Sequence, residues 1–295
     1  MARGTLAFSL VTLVACGTTN PGGGNSAFKI ELRFGSSVSD AYKLVFNNAA
    51  NRWKEIITAN LGNLPTGTFD PADCNVSGFP SPATVSNDLT IYAVVEPIDG
   101  VGNVLGSAGP CITRQSNDLT IVGSMRFDIA DVDALANAGQ LQETITHEMG
   151  HVLGIGTLWK TKGLLTGAGS NGQCGNTPEF TGTNAVNEWK ALGGTGNVPV
   201  EGAFDKNGNP IGQGTCEGHW RESVFTNELL TGFLDDGKVN PLSRLTIASV
   251  KDLGYTVNLN AAQAYTLDNS PLATRLKAKK TKLEMKLLEP RFQWQ

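Results

Sequence analysis

The chain holds only three histidines in 295 residues, and two of them stand four apart in His147-Glu148-Met149-Gly150-His151. On an α-helix, positions four apart lie almost above one another, so both rings would project from one face with Glu148 beside them. Leu141, Ile145 and Val152 recur at near-helical spacing and give the same segment an apolar face, which predicts a helix over 138–153. Neutral imidazole is a borderline-soft nitrogen donor available at neutral pH, so the pair is a candidate for part of a metal cage. The competing reading is an accidental pattern on an amphipathic helix whose histidines are structural.

Gly154 follows His151 by three residues, and a glycine there permits positive φ and a sharp exit from the helix. A third metal ligand has to come from outside that helix. No acidic residue lies between Glu148 and Glu179, so a glutamate some twenty residues on is not available. Thr157 occupies the position that histidine holds in the compact pattern HExxHxxGxxH. If the third ligand is a histidine, it can only be His219, in Glu217-Gly218-His219-Trp220.

The run from His147 to Gly154, a long insertion, and then Gly218-His219-Trp220-Arg221-Glu222 resembles the leishmanolysin-like metzincins, a family of zinc peptidases, and their bacterial members in particular. The likeness continues through Asn227-Glu228-Leu229-Leu230-Thr231-Gly232 and Leu245–Tyr255, and upstream through Gly109-Pro110-Cys111 and Gly123–Asp128. It spans residues 28 to 257. It implies an α+β fold: a mixed sheet, two long helices, and a glycine-rich insertion at 155–218 before a small C-terminal subdomain. It also implies one catalytic Zn2+ on His147, His151 and His219, with Glu148 as general base in the hydrolysis of a peptide or protein substrate. The strand Leu119–Phe127 would form the upper rim of the substrate cleft, through Leu119, Thr120, Ile121, Val122 and Gly123.

Leu230 stands where the family places a methionine beneath the zinc, and leucine has a volume that can still floor the site. Two other functions stay open. One is a surface-anchored binding module on the same scaffold without catalysis, against which the intact Glu148 speaks. The other is a zinc hydrolase of non-protein amide bonds.

The N-terminus supplies a location. Arg3 precedes an apolar run from Leu6 to Ala15, too short for a comfortable membrane span. It ends in Leu13-Val14-Ala15-Cys16-Gly17, which resembles the lipobox of bacterial lipoprotein signals. Residues 1–15 then form a signal peptide, Cys16 carries lipid, and 16–27 form a tether rich in Gly, Thr, Asn and Ser. The expected location is the bacterial cell envelope, with simple secretion as the alternative.

Export makes the remaining cysteines readable, because an even number in an oxidising compartment implies disulfides. Cys74, Cys111, Cys174 and Cys216 allow three pairings. Cys74–Cys111 with Cys174–Cys216 is the expected one, since the second bridge would brace the loop just before His219. A net charge of −4 leaves a nucleic-acid partner without an electrostatic footprint. A monomer is expected.

Further elements follow from periodicity. Phe28–Phe34, Leu89–Glu96 and Leu119–Phe127 read as strands, and 39–61 and 241–253 as helices. The insertion holds 15 of the 35 glycines, so it should be mostly loop, with a short helix near Asn184–Leu192. Asp205-Lys206-Asn207-Gly208-Asn209-Pro210 reads as a tight turn; structural Ca2+ there is possible but not indicated, because the distal glutamate of a calcium loop is missing. The tail 258–295 is basic from 275, and is expected to be a solvated, partly helical end.

Overall fold

The computed structural model describes residues 27–62, 67–102, 104–205, 207–212, 214–268, 280–283 and 285–294. The expected signal segment, the Cys16 attachment point and nearly all of the tether lie outside the described residues. Strand β1 (Ile30–Phe34) leads into helix α1 (Asp40–Ile56), where the Ser39 hydroxyl caps the first turn by accepting the Tyr42 N–H at 3.2 Å. Phe46, Ala49, Ala50, Trp53 and Ile56 recur every three or four residues on α1 and form its buried stripe. A short ladder, β2 (Thr68–Phe69) with β3 (Ala83–Thr84), precedes β4 (Leu89–Glu96), β5 (Gly106–Arg114) and β6 (Thr120–Asp128).

These strands form one sheet in the order β1-β4-β6-β5, with β1, β4 and β6 parallel and β5 antiparallel to β6. Parallel strands are covered on both faces, which explains why Leu89–Val95 is buried without interruption. One face meets α1 and the helix that follows the sheet. The other meets a smaller apolar cluster around Val76, Tyr92, Val94 and Ile121, which the Cys74–Cys111 disulfide staples to β5.

After β6 the chain enters α2 (Ile129–Asn137), capped by Asp128, and then α3 (Leu141–Leu153). Trp53 Nε1–H donates to the Thr146 carbonyl at 2.9 Å and pins α1 to α3. The insertion folds into a three-strand ladder, β7 (Leu165–Thr166), β8 (Glu179–Phe180) and β9 (Val198–Pro199), with α4 (Thr183–Ala191) between the last two. The Asp205 carboxylate accepts N–H bonds from Asn207 and Asn209, each at 2.8 Å, which closes the expected turn. Beyond it lie α5 (Glu222–Phe225), β10 (Phe233–Asp235), α6 (Arg244–Leu253), β11 (Lys280–Lys282), β12 (Met285–Leu287) and β13 (Phe292–Trp294).

Two expectations are corrected. Strand β6 lies between β4 and β5, so both of its edges are paired, and Leu119, Thr120, Ile121, Val122 and Gly123 are buried. They form the middle of the sheet and not an exposed edge; the next strand on this side is β5, whose outer edge carries β12 and β13. Residues 280–283 and 285–294 of the basic C-terminal tail are extended and paired, not a solvated helical end. Strand β11 pairs antiparallel with β10, and β12 and β13 both pair parallel with β5.

Candidate metal centre

Helix α3 is apolar or small at most positions, and every residue from Thr144 to Leu153 is buried. It ends at Gly154, whose φ of 115° is open to glycine and strained for any other residue. The exit is sharp: the Gly154 N–H donates to the His151 carbonyl and the Ile155 N–H to that of Gly150. Two residues on, Gly156 at φ 74° lies against the Gly218 backbone, where a Cβ would overlap main-chain atoms. This close approach of two glycines brings the segment carrying His219 against the end of α3.

That segment is held on both sides. Its Glu217 N–H donates to the Glu201 carbonyl, and its His219 carbonyl accepts the Glu201 N–H at 2.8 Å. On the other side, the Trp220 N–H donates to the Leu230 carbonyl at 2.9 Å. The Trp220 ring is buried among Trp159, Phe180 and Phe225, and its Nε1–H donates to the Thr246 hydroxyl on α6 at 2.8 Å. The Cys174–Cys216 disulfide closes the loop three residues before His219.

These supports bring together residues 72 apart in the chain. The Nε2 atoms of His147 and His151 lie 2.9 Å apart, and each is 3.1 Å from Nε2 of His219. All three rings are essentially inaccessible to solvent. Each turns its Nδ1 to a backbone carbonyl: His147 to Leu229 at 2.6 Å, His151 to Ile155 at 2.8 Å, His219 to Thr215 at 2.8 Å. A carbonyl oxygen can only accept, so each Nδ1 carries the proton and each Nε2 presents a lone pair. Burial opposes further protonation, holding His147 down at about 3, His219 at about 4, and His151 well below the ordinary imidazole range. Three lone pairs at this separation have no proton to share, and a cation is the group that satisfies them.

Glu148 lies beside the trio, one carboxylate oxygen 3.8 Å from His147 Nε2. Both of its oxygens are buried without a hydrogen-bond partner, and burial pushes its carboxyl well above the usual range. Beneath α3, Leu230 is fully buried and its Cδ1 packs toward Gly150. The turn that carries it is anchored by Glu228, whose carboxylate accepts the Leu230 N–H at 2.6 Å, the Ser243 N–H at 3.1 Å, the Ser243 hydroxyl at 2.7 Å, and the Thr246 hydroxyl. Sequence reasoning did not single out Glu228, and an acid next to Leu229-Leu230 in the run Asn227–Gly232 is the one signal for it. The three carbonyls that orient the rings leave no trace in side-chain identity.

A family model described as leishmanolysin matches residues 74–280. No curated protein matches the chain.

Proposed function

The chain belongs to the leishmanolysin family of metallopeptidases, and on that premise we propose that it is a zinc-dependent endopeptidase, with His147, His151 and His219 holding the ion and Glu148 serving as general base. The observation that carries the reading is the convergence of three buried Nε2 lone pairs beside a carboxylate that makes no hydrogen bond of its own. Zinc at such a site supplies Lewis acidity, polarising a peptide carbonyl and making water a nucleophile near neutral pH. Glu148 takes the proton that water gives up onto a carboxylate oxygen, and later delivers it to the nitrogen of the leaving amine. A carboxylate enclosed by apolar surroundings holds a proton more readily than one in water, which suits a group that must both accept and return it. The Leu229, Ile155 and Thr215 carbonyls keep the rings in one tautomer and one orientation, and Leu230 floors the site.

The two disulfides mark an exported protein, and among the described residues no helix is long and apolar enough to cross a membrane. We place it in the bacterial cell envelope, held by lipid on Cys16, on the strength of the lipobox-like Leu13–Gly17. The test of the activity is metal analysis of the purified protein together with casein hydrolysis. One zinc per chain and hydrolysis abolished by a chelator are expected. A zinc-loaded protein that cleaves neither casein nor gelatin would return the chain to the class of binding modules.

A further inference from the structure

The C-terminal segment lies where an extended polypeptide would have to bind. Strand β5 is the outermost strand of the sheet apart from the C-terminal segment itself, with α3 packed against it. Exposed strand edges take up extended chains through main-chain hydrogen bonds. Here the edge is already taken: Leu288 N–H donates to the Ala108 carbonyl at 2.9 Å, and Arg291 N–H to the Cys111 carbonyl at 2.8 Å. At its far end, the Gln115 N–H donates to the Trp294 carbonyl at 2.9 Å.

The opposite flank of the same segment meets the loop that ends in His219. The Leu287 side chain and the Met285 backbone occupy the space that a side chain at Gly218 or Gly214 would fill. Gly218, Gly156, Met285 and Leu287 border one cleft of about 660 Å³.

The segment is fastened at both ends. Lys280 Nζ pairs with Glu222 at 2.5 Å and with Asp235, both on the chain just beyond His219. Leu283 and Met285 are buried, and the Leu283 N–H donates to the Gly232 carbonyl at 3.1 Å. At the other end the Arg291 guanidinium donates to the Asp73 carbonyl, and Trp294 packs edge-on against Phe69. Meanwhile Glu148 and the three imidazoles have essentially no contact with solvent, so an extended peptide reaches them only after something moves.

We infer that residues 280–283 and 285–294 form an intramolecular strap that occupies the outer edge of β5 in place of an extended peptide and closes the metal centre until it is displaced. The inference rests on the proposed peptidase reading for the identity of what is excluded. It runs parallel to β5, so it sits on the edge as a competitor and is not itself offered in the antiparallel pairing that β5 makes with β6.

The test uses the full chain with two substitutions that loosen the strap by different routes, Leu287→Asp and Leu288→Pro. The first puts a charge against the His219 loop, and the second removes the N–H that bonds Ala108. Casein hydrolysis and amide hydrogen exchange of residues 108–114 are measured on wild type and on each variant that keeps its thermal midpoint. In both variants hydrolysis should rise by about tenfold or more, and the 108–114 amides should exchange faster. A synthetic peptide of residues 285–294 added in trans should reverse both changes. Hydrolysis by wild type as fast as by variants whose 108–114 amides have opened would overturn the strap. So would unchanged exchange at 108–114 in both variants. If no form hydrolyses casein, the peptidase reading falls, and protection of 108–114 by the added peptide still decides whether the edge is a peptide site covered by the strap.

Discussion

The carbonyl oxygen of Leu229 lies 2.6 Å from Nδ1 of His147, and this contact joins the helix bearing two of the imidazoles to the turn beneath them. It makes the metal centre a property of two segments more than eighty residues apart. Disturbing either should be read out at the other.

The distant imidazole is the first point of attack. His219→Ala should leave far-ultraviolet circular dichroism unchanged and weaken zinc retention by at least about 100-fold, since even groups that only orient ligands are worth about 10–100-fold. Zinc content after dialysis against a weak chelator checks it. Full retention of zinc would remove His219 from the ligand set.

Glu148→Gln keeps the shape of the side chain and removes its basicity. Turnover of a fluorogenic peptide should fall by about 10²–10⁴-fold while zinc content stays at the wild-type value. A variant of undiminished kcat would show that the proton is taken by another group.

Glu228 predicts a stability effect that propagates to the site. Its carboxylate accepts four hydrogen bonds from buried donors on the Leu230 turn and at the start of α6. Glu228→Ala leaves those donors unpaired and should cost about 3–5 kcal/mol in urea unfolding, in line with the loss of one partner from a buried polar network. Zinc affinity should drop with it, because the Leu229 carbonyl is carried by the same turn. Wild-type stability in this variant would contradict the anchoring role.

Asp128 sets an acid limit. Its carboxylate accepts N–H bonds from Gly100 and Ala130, each at 2.8 Å, and from Asp99 and Ile98, which hold its carboxyl down to about 2 from an ordinary value of 3.8. A carboxyl whose folded pKa is depressed stabilises the fold fully above the unfolded value, and that contribution is lost as pH falls through the folded value. The gap in denaturant midpoint between wild type and Asp128→Asn should therefore be constant from pH 7 to about 4, and shrink between about 4 and 2. A gap that persists unchanged at pH 2 would refute the assignment.

How much of this was legible in the sequence depends on where each piece of information resides. The helix bearing His147 and His151 and the exit at Gly154 are written in side-chain identity and spacing, and the structure places both as read. His219 followed from the scarcity of histidine. The pairing Cys74–Cys111 and Cys174–Cys216 is formed as expected.

Strand β5 escaped notice because Gly106-Ser107-Ala108-Gly109-Pro110 lacks the branched residues that mark a strand, and its register shifts between Pro110 and Thr113. Without it, β6 took on the role of an edge that it does not have. The segment 280–294 carries charges at Lys280, Lys282, Lys286 and Arg291, which read as a solvated surface. Its strands are three residues long, and their partners lie at β5 and β10, too far along the chain for local pattern to reveal.

The separation between His151 and His219 also fixes when the centre can exist. A nascent chain that has emerged only as far as the glycine-rich insertion already contains a base and two imidazoles, yet it has nothing with which to complete the set. The last nitrogen arrives only after some seventy further residues have been synthesised and folded back onto α3. A ribosome that has not yet released His219 therefore carries no complete set of imidazoles, whatever the zinc supply around it.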